Sequence, residues 1–458
     1  MGSFHFDDYS VLSGNIWRVM GTRPLTGLTF WLSLTAGDRN PLDYHAINLA
    51  LHLVAALLLF DALQQLVSAR AAFIGAIVFA VHPIQTEAVN YVFARATELD
   101  TVLCLAALLA WLRGRQWWAV AWFAAALMAK EECAAFPVFL FLLGRSLGKL
   151  KGRVPALLVM AAIAVAAGVG VYVGVLRNPG VPAGPHAGIT PLDYFLAQGP
   201  VILRYLRLIV VPWGFNVDTQ IAVTPPWLGL AAWALIGAMV VVASRWFFGV
   251  RAGFWFIAGL VLLLPSSSIF PVEDLAAERR MYLPMIAFAA CAGVLLERVK
   301  PAVVAAVAVV LIGLSVERTL VWRTEQSLWS DALEKSPEKV RPKIQLARVS
   351  DPPRALALLQ QAESQAPDDP RIPTEMGRIY LANGNAAQSL SEFGRALALS
   401  PRSADALNNR GAALLALGQA DAARQDFERA LAINPCQPNA RENLAHMGIE
   451  RPAARGCE

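Results

Sequence analysis

The run "VPALLVMAAIAVAAGVGVYVGVL" (154–176) holds 23 residues and no charge. A helix needs about 20 apolar residues to cross the hydrocarbon of a bilayer, so this stretch is predicted to span a membrane. The rest of the chain agrees. Of 458 residues 56% are hydrophobic and 16% charged, where an ordinary soluble domain is about 25% charged. Further apolar runs lie near 44–66, 71–83, 98–112, 116–129, 133–144, 225–244, 252–268, 281–297 and 301–320. Several are short, which predicts helices broken inside a cavity rather than simple lipid-facing rods. Residues 191–213 are also apolar but contain Arg204 and Arg207, so an interfacial or re-entrant helix is expected there. The fold class is all-α: a polytopic membrane bundle over 1–321, then a soluble helical tail over 322–458.

Taken alternately, the turns between runs differ in charge. One set carries Arg70, Arg113, Arg115, Arg145, Lys149, Lys151, Arg153, Arg245, Arg251, Arg298 and Lys300, eleven cations against Glu297. Short loops rich in Lys and Arg face the cytoplasm. The opposite set carries Asp7, Asp8, "HPIQTE" (82–87), "KEE" (130–132), Asp218, "PVEDLAAERR" (271–280) and the tail, and is expected outside. This leaves the N-terminus outside with no helix to carry it there. We expect either a further apolar helix upstream of Met1 or a first hairpin that inserts unaided.

The sequence pI is about 9.0, but the cations sit in membrane turns rather than on one soluble face, so no nucleic-acid partner is expected. The five cysteines fit no metal spacing. Cys104, Cys133 and Cys291 lie in apolar segments as small core residues, while Cys436 and Cys457 are placed to pair in an oxidising compartment. No signal peptide with a basic start precedes the acids.

In the tail, Pro367, Pro401 and Pro435 recur every 34 residues, the period of the tetratricopeptide repeat. Gly377, Tyr380, Phe393 and Ala396 fill one copy; Gly411, Leu414, Ala423, Phe427 and Ala430 fill the next. Ala355, Leu359 and Ala362 give the second half of an earlier copy, and 438–448 begin another that caps the stack. Small residues let paired helices approach, aromatics fill the gap between repeats, and proline ends each second helix. Such an array offers either a concave groove for a polypeptide or a packing module.

Each outward charge has a plain structural reading. Asp7 and Asp8 suit a solvated turn or a cap, His82 with Pro83 a helix end, and Glu87 a hydrogen-bonded cap. Lys130 with Glu131 suits a neutralised pair at a helix break, and Glu278, Arg279 and Arg280 a loop closed by ion pairs. His45, Asn48 and His52 share a helix face and can simply join helices. Against these stands their common side. Carboxylates and cations above a lipid-accessible cavity suit transfer from a membrane-borne phosphate donor to a water-side acceptor. Cations or a divalent metal would stabilise the departing phosphate, and a carboxylate would take the acceptor's proton.

Seven segments carry a resemblance: "FHFDDYSVLSGN" (4–15), "RPLTGLTFWLSL" (23–34), "YHAINLALHL" (44–53), "VHPIQTEAVNYVFARATEL" (81–99), "KEECAAFP" (130–137), "YLRLIVVPWGFNVD" (205–218) and "AAERRMYLP" (276–284). With "WRTEQSLWSDALEKSP" (322–337) and the repeats, their order resembles the transmembrane and tetratricopeptide-repeat O-mannosyltransferases of the C-type (GT-C) membrane glycosyltransferases. The resemblance implies a polyprenyl-phosphate sugar donor, usually of mannose, and Ser or Thr hydroxyls of exported protein as acceptors. It implies that the acidic pair of the first exterior loop is catalytic: Asp8 as base, then Asp7. Arg23, Arg95 and Arg280 are expected at the lipid phosphate, with His82, Glu87, Lys130, Glu131, Glu278 and Tyr282 ordering the site. No resident cofactor is required, though a divalent metal is compatible. The Ala-rich composition and few repeats suggest a bacterial inner membrane. The rivals are an oligosaccharide or glycolipid transferase, and a non-catalytic scaffold whose repeats recruit partners.

Overall fold

The computed structural model describes residues 21, 23–36, 40–177, 183–186, 188–221, 224–267, 270–272 and 274–450. Asp7, Asp8 and Cys457 lie outside them. Among the described residues every regular element is a helix, apart from one isolated bridge between Ala183 and Val272. The chain divides into two compact units, Met1–Thr324 and Glu325–Glu458.

The first unit holds α1 (Pro24–Ala36), α2 (Pro41–Gln64), α3 (Ala69–Val81), α4 (Thr86–Asn90), α5 (Arg95–Leu112), α6 (Gln116–Ala129) and α7 (Phe136–Ser146). It continues with α8 (Val154–Arg177), α9 (Pro191–Val210), α10 (Pro226–Ser244), α11 (Ala252–Leu263), α12 (Met285–Leu296) and α13 (Pro301–Val321). Each apolar run read from the sequence becomes one of these helices, and 191–213 becomes α9. Four of them (α2, α8, α10 and α13) are long and apolar enough to cross a membrane, or five spans if α3 and the segment Pro83–Asn90, bent by 48°, count as one. The 13-residue α3 reaches only about 20 Å at 1.5 Å per residue, so it cannot cross alone.

The breaks have local causes. Pro83 forces His82 out of the α region, to φ −75° and ψ 128°, and α3 stops. Lys130 is extended at φ −159° and ψ 140°, ending α6 before a 3-10 turn, Glu131–Ala135. Between the breaks the bundle is tightly packed. α3 packs on α2 and α12, α5 on α2 and α6, and α11 on α10 and α12. The α3–α12 crossing depends on absent side chains: a Cβ at Gly293 would collide with the Ala71 carbonyl, and one at Gly75 would lie 3.0 Å from the Ala289 oxygen. Small residues at such crossings let membrane helices approach.

The second unit comprises α14 (Glu325–Lys335), α15 (Val340–Arg348), α16 (Pro352–Gln365), α17 (Arg371–Ala382), α18 (Ala386–Leu399), α19 (Ala404–Ala416), α20 (Ala420–Ile433) and α21 (Pro438–His446). Consecutive helices pack pairwise, as repeats require. A Cβ at Gly377 would lie 2.7 Å from the Phe393 ring, and one at Gly411 2.5 Å from the Phe427 ring. Arg410 and Asp426 pin α19 to α20 through two hydrogen bonds of 2.6 and 2.7 Å. Cys436 is disulfide-bonded, while Cys104, Cys133 and Cys291 are free.

Candidate functional site

Helix breaks bring charged side chains together. Arg23, just ahead of α1, meets Glu131 in a two-pronged ion pair: Nη2 to Oε1 at 2.6 Å and Nε to Oε2 at 3.0 Å. Burial works against the Glu131 charge, but Arg23 outweighs it and holds the carboxyl at about 2. Lys130 pairs with Glu132 at 2.7 Å and donates to the Thr97 hydroxyl at 2.6 Å. The expected Lys130–Glu131 pair is therefore not the one formed. Side chains of successive residues point apart at the extended break, so each finds its own counter-ion.

Arg280 adjoins this group. Its guanidinium donates to the Leu275 and Asp274 carbonyls and lies close enough to Glu132, Tyr194 and Tyr205 to interact with them electrostatically. It comes from the 3-10 turn Glu278–Met281, which Glu278 and Arg279 fasten down. Glu278 accepts from Arg204 at 3.0 Å and from the Asn216 N–H at 2.9 Å. Burial raises its carboxyl above the usual range against the pull of Arg318 and Arg204. Glu87 accepts from the Arg279 side chain at 2.6 Å and from its backbone N–H at 3.2 Å. So Arg23, Lys130, Glu131 and Arg280 come together with Glu132, while Glu87 and Glu278 hold the neighbouring turn.

The other expected site residues are placed elsewhere. Arg95 is fully buried; it donates to Asn48 Oδ1 at 3.0 Å, Ser33 Oγ at 2.9 Å and the Tyr44 carbonyl at 3.3 Å. The Phe30 ring lies 4.3 Å from its guanidinium carbon. It clamps α1 and α2 to α5. His82 accepts from the Ile84 N–H and bonds the Ile209 carbonyl at 3.0 Å, capping the turn after α3. Tyr282 is buried, 2.8 Å from His52 Nδ1.

Two acids of α5 were missed. Glu98 and Asp100 are fully buried, and neither carboxylate oxygen of Glu98 has a hydrogen-bond partner. The signal was present in "RATELD" (95–100): ionisable residues in an apolar helix are rare and usually functional. Among the described residues no group of three or more His, Cys, Asp or Glu is arranged to hold a metal ion. In the second unit a separate groove of about 410 Å³ is lined by Arg348, Arg378, Asn408 and Asn409.

Residues 374–438 match the tetratricopeptide repeat model. Protein O-mannosyl-transferase F38B6.6 of Caenorhabditis elegans is 28% identical over 361 residues, 71% of this chain and 50% of the relative. Protein O-mannosyl-transferase TMTC3 of Mus musculus is 39% identical over 93 residues, and TMTC1 of Homo sapiens 42% over 92. Each of those alignments covers 20% of this chain and 10% of the relative. The chain thus spans half the length of the nematode relative. Among solved structures, yeast Tom70 aligns over 86% of this chain and 88% of its own at 13% identity and a TM-score of 0.26, too low to carry an argument. Repeats and named relatives together make the chain similar to the tetratricopeptide-repeat protein O-mannosyl-transferases.

Proposed function

We propose that the protein is a membrane glycosyltransferase that moves a hexose, mannose by the names of its relatives, from a polyprenyl phosphate to Ser or Thr hydroxyls of exported protein. The observation that carries this reading is the convergence of Arg23, Lys130, Glu131, Glu132 and Arg280 at helix breaks on one side of the bundle. Such a cluster suits an anionic headgroup at a membrane edge. The eleven cations of the opposite turns support an exterior site, periplasmic if the membrane is a bacterial inner one.

In this mechanism Asp8 takes the proton of the acceptor hydroxyl. The oxygen attacks the anomeric carbon from the face opposite the phosphate, the carbon–oxygen bond to phosphate breaks, and the lipid phosphate leaves with the electron pair. Configuration inverts. Asp7 positions the acceptor or donor. Arg280 is the first choice for the phosphate, because its hydrogen bonds to carbonyls leave its charge unneutralised by them. Arg23 and Lys130 already have carboxylate partners and act by ordering the cluster. Arg95 acts as a clamp. The groove between repeats offers the exported polypeptide a polar surface.

Mass spectrometry of exported proteins with and without the gene tests the reading. A hexose lost from Ser or Thr on deletion, and restored by wild type but not by Asp8→Asn, supports it. Full restoration by Asp8→Asn would favour a scaffold.

A further inference from the structure

A cavity of about 530 Å³ opens between α2, the break after α3, α4 and α13, within the roughly 300–1,000 Å³ typical of ligand sites. None of Arg23, Lys130, Glu131 or Arg280 lines it. Its walls are largely apolar, with Ala46, Leu49 and Leu320 among them. Several polar side chains on it are already satisfied. His52 bonds Tyr282 and the Ala80 carbonyl; Asn90 donates to the Thr86 carbonyl and to Thr319; Ser315 donates to the Val81 carbonyl.

Gln85 is different. It is 2% exposed, and both its amide nitrogen and its amide oxygen lack a partner. A buried amide left unpaired is costly and calls for a ligand group. Arg323, exposed after α13, also lines the cavity, and no carboxylate does. The charge therefore favours an anion. A ligand that satisfies all three features has a long apolar chain, a negative head and a polar group between them. An isoprenoid phosphate is polar only at its end and offers nothing to an interior amide. A glycerophospholipid carries an ester carbonyl below its phosphate, which can accept from the Gln85 Nε2–H.

We propose that this cavity holds one anionic glycerophospholipid of the surrounding leaflet, its phosphate at Arg323, an ester at Gln85 and one acyl chain along Ala46, Leu49 and Leu320. The site does not depend on the transferase reading. Bound lipid would bridge α13 to α2 and α4.

Native mass spectrometry of the purified full chain tests this, with phosphatidylglycerol, phosphatidylcholine and undecaprenyl phosphate offered in equal amounts. One phosphatidylglycerol should remain bound in preference to phosphatidylcholine by about tenfold, the worth of one charge-assisted hydrogen bond. Arg323→Gln, an exposed change that leaves the core intact, should abolish that preference. Gln85→Leu should weaken both diacyl lipids, and Ala46→Trp should expel them by filling the space. Helical circular dichroism and melting confirm that each variant is folded. Equal retention of the two diacyl lipids, displacement by undecaprenyl phosphate, or binding unchanged in Arg323→Gln and Ala46→Trp would overturn the proposal. None of these readouts measures sugar transfer, so failure here leaves that reading untouched.

Discussion

Arg23 and Glu131 lie 108 residues apart in sequence, yet their side chains lock together through two hydrogen bonds of 2.6 and 3.0 Å. The pair ties the start of α1 to the break between α6 and α7. Because the folded Glu131 carboxyl lies near 2 instead of its ordinary 4.5, the pair contributes fully above about pH 4.5. That contribution is lost as pH falls through about 2. Melting of the detergent-solubilised protein should therefore weaken across this window, and Glu131→Gln should flatten that part of the profile. An unchanged profile in Glu131→Gln would show that other groups set the acid limit.

The proposed base and the proposed phosphate ligand should fail differently. Asp8→Asn keeps the shape but removes the basicity, so transfer should fall by about 10²–10⁴-fold with insertion intact. Asp7→Asn should cost less. Arg280→Ala should weaken use of the lipid phosphate, seen as a raised KM for the donor. Purified variants given polyprenyl-phosphate mannose and an exported peptide supply the measurement; full activity in both Asp variants would sink the assignment.

Arg95 should behave as a clamp. Arg95→Lys keeps the charge but cannot reach Asn48, Ser33 and the Tyr44 carbonyl together. Each charged hydrogen bond lost is worth roughly 1.5–3 kcal/mol, so Tm should drop with or without lipid donor. A variant of normal Tm with a raised donor KM would instead return Arg95 to the phosphate.

Topology can be read by labelling. With Cys436 and Cys457 removed, a cysteine placed in the turn 403–405 should react with an impermeant thiol reagent in whole cells. One placed at 148–152 should not. The reverse pattern would overturn the exterior placement of the repeats and the proposed side of the reaction.

Gly411→Ala should lower the stability of the repeat unit by about 1–3 kcal/mol through overpacking, since its Cβ would lie 2.5 Å from the Phe427 ring. Phe427→Leu in the same chain should recover part of that loss, as contacting residues couple. Simple additivity of the two changes would contradict the contact.

The helices were legible because apolar length and the 34-residue proline period are one-dimensional signals. Each apolar run became a helix, while Phe393 and Phe427, expected between repeats, pack on Gly377 and Gly411 inside their own hairpins. Charge pairing was less legible. Lys130 chose Glu132, and Glu131 chose Arg23, because a single extended residue at the break turns neighbouring side chains apart. Glu98 and Asp100 were overlooked for a related reason: at the edge of an apolar run they look like its solvated boundary, and only tertiary packing shows them to be fully buried. Arg95 likewise sits in a motif rich in polar residues but is buried against the Phe30 ring.

The glycine–aromatic contact of the repeats has a consequence for ancestry. Gly377 with Phe393, and Gly411 with Phe427, recur at the same offset, so this fastening of each hairpin is written inside that hairpin. A duplication inherits its own fastening and an unequal crossover removes it whole. Copy number can therefore change by whole hairpins, each carrying its own glycine and its own ring.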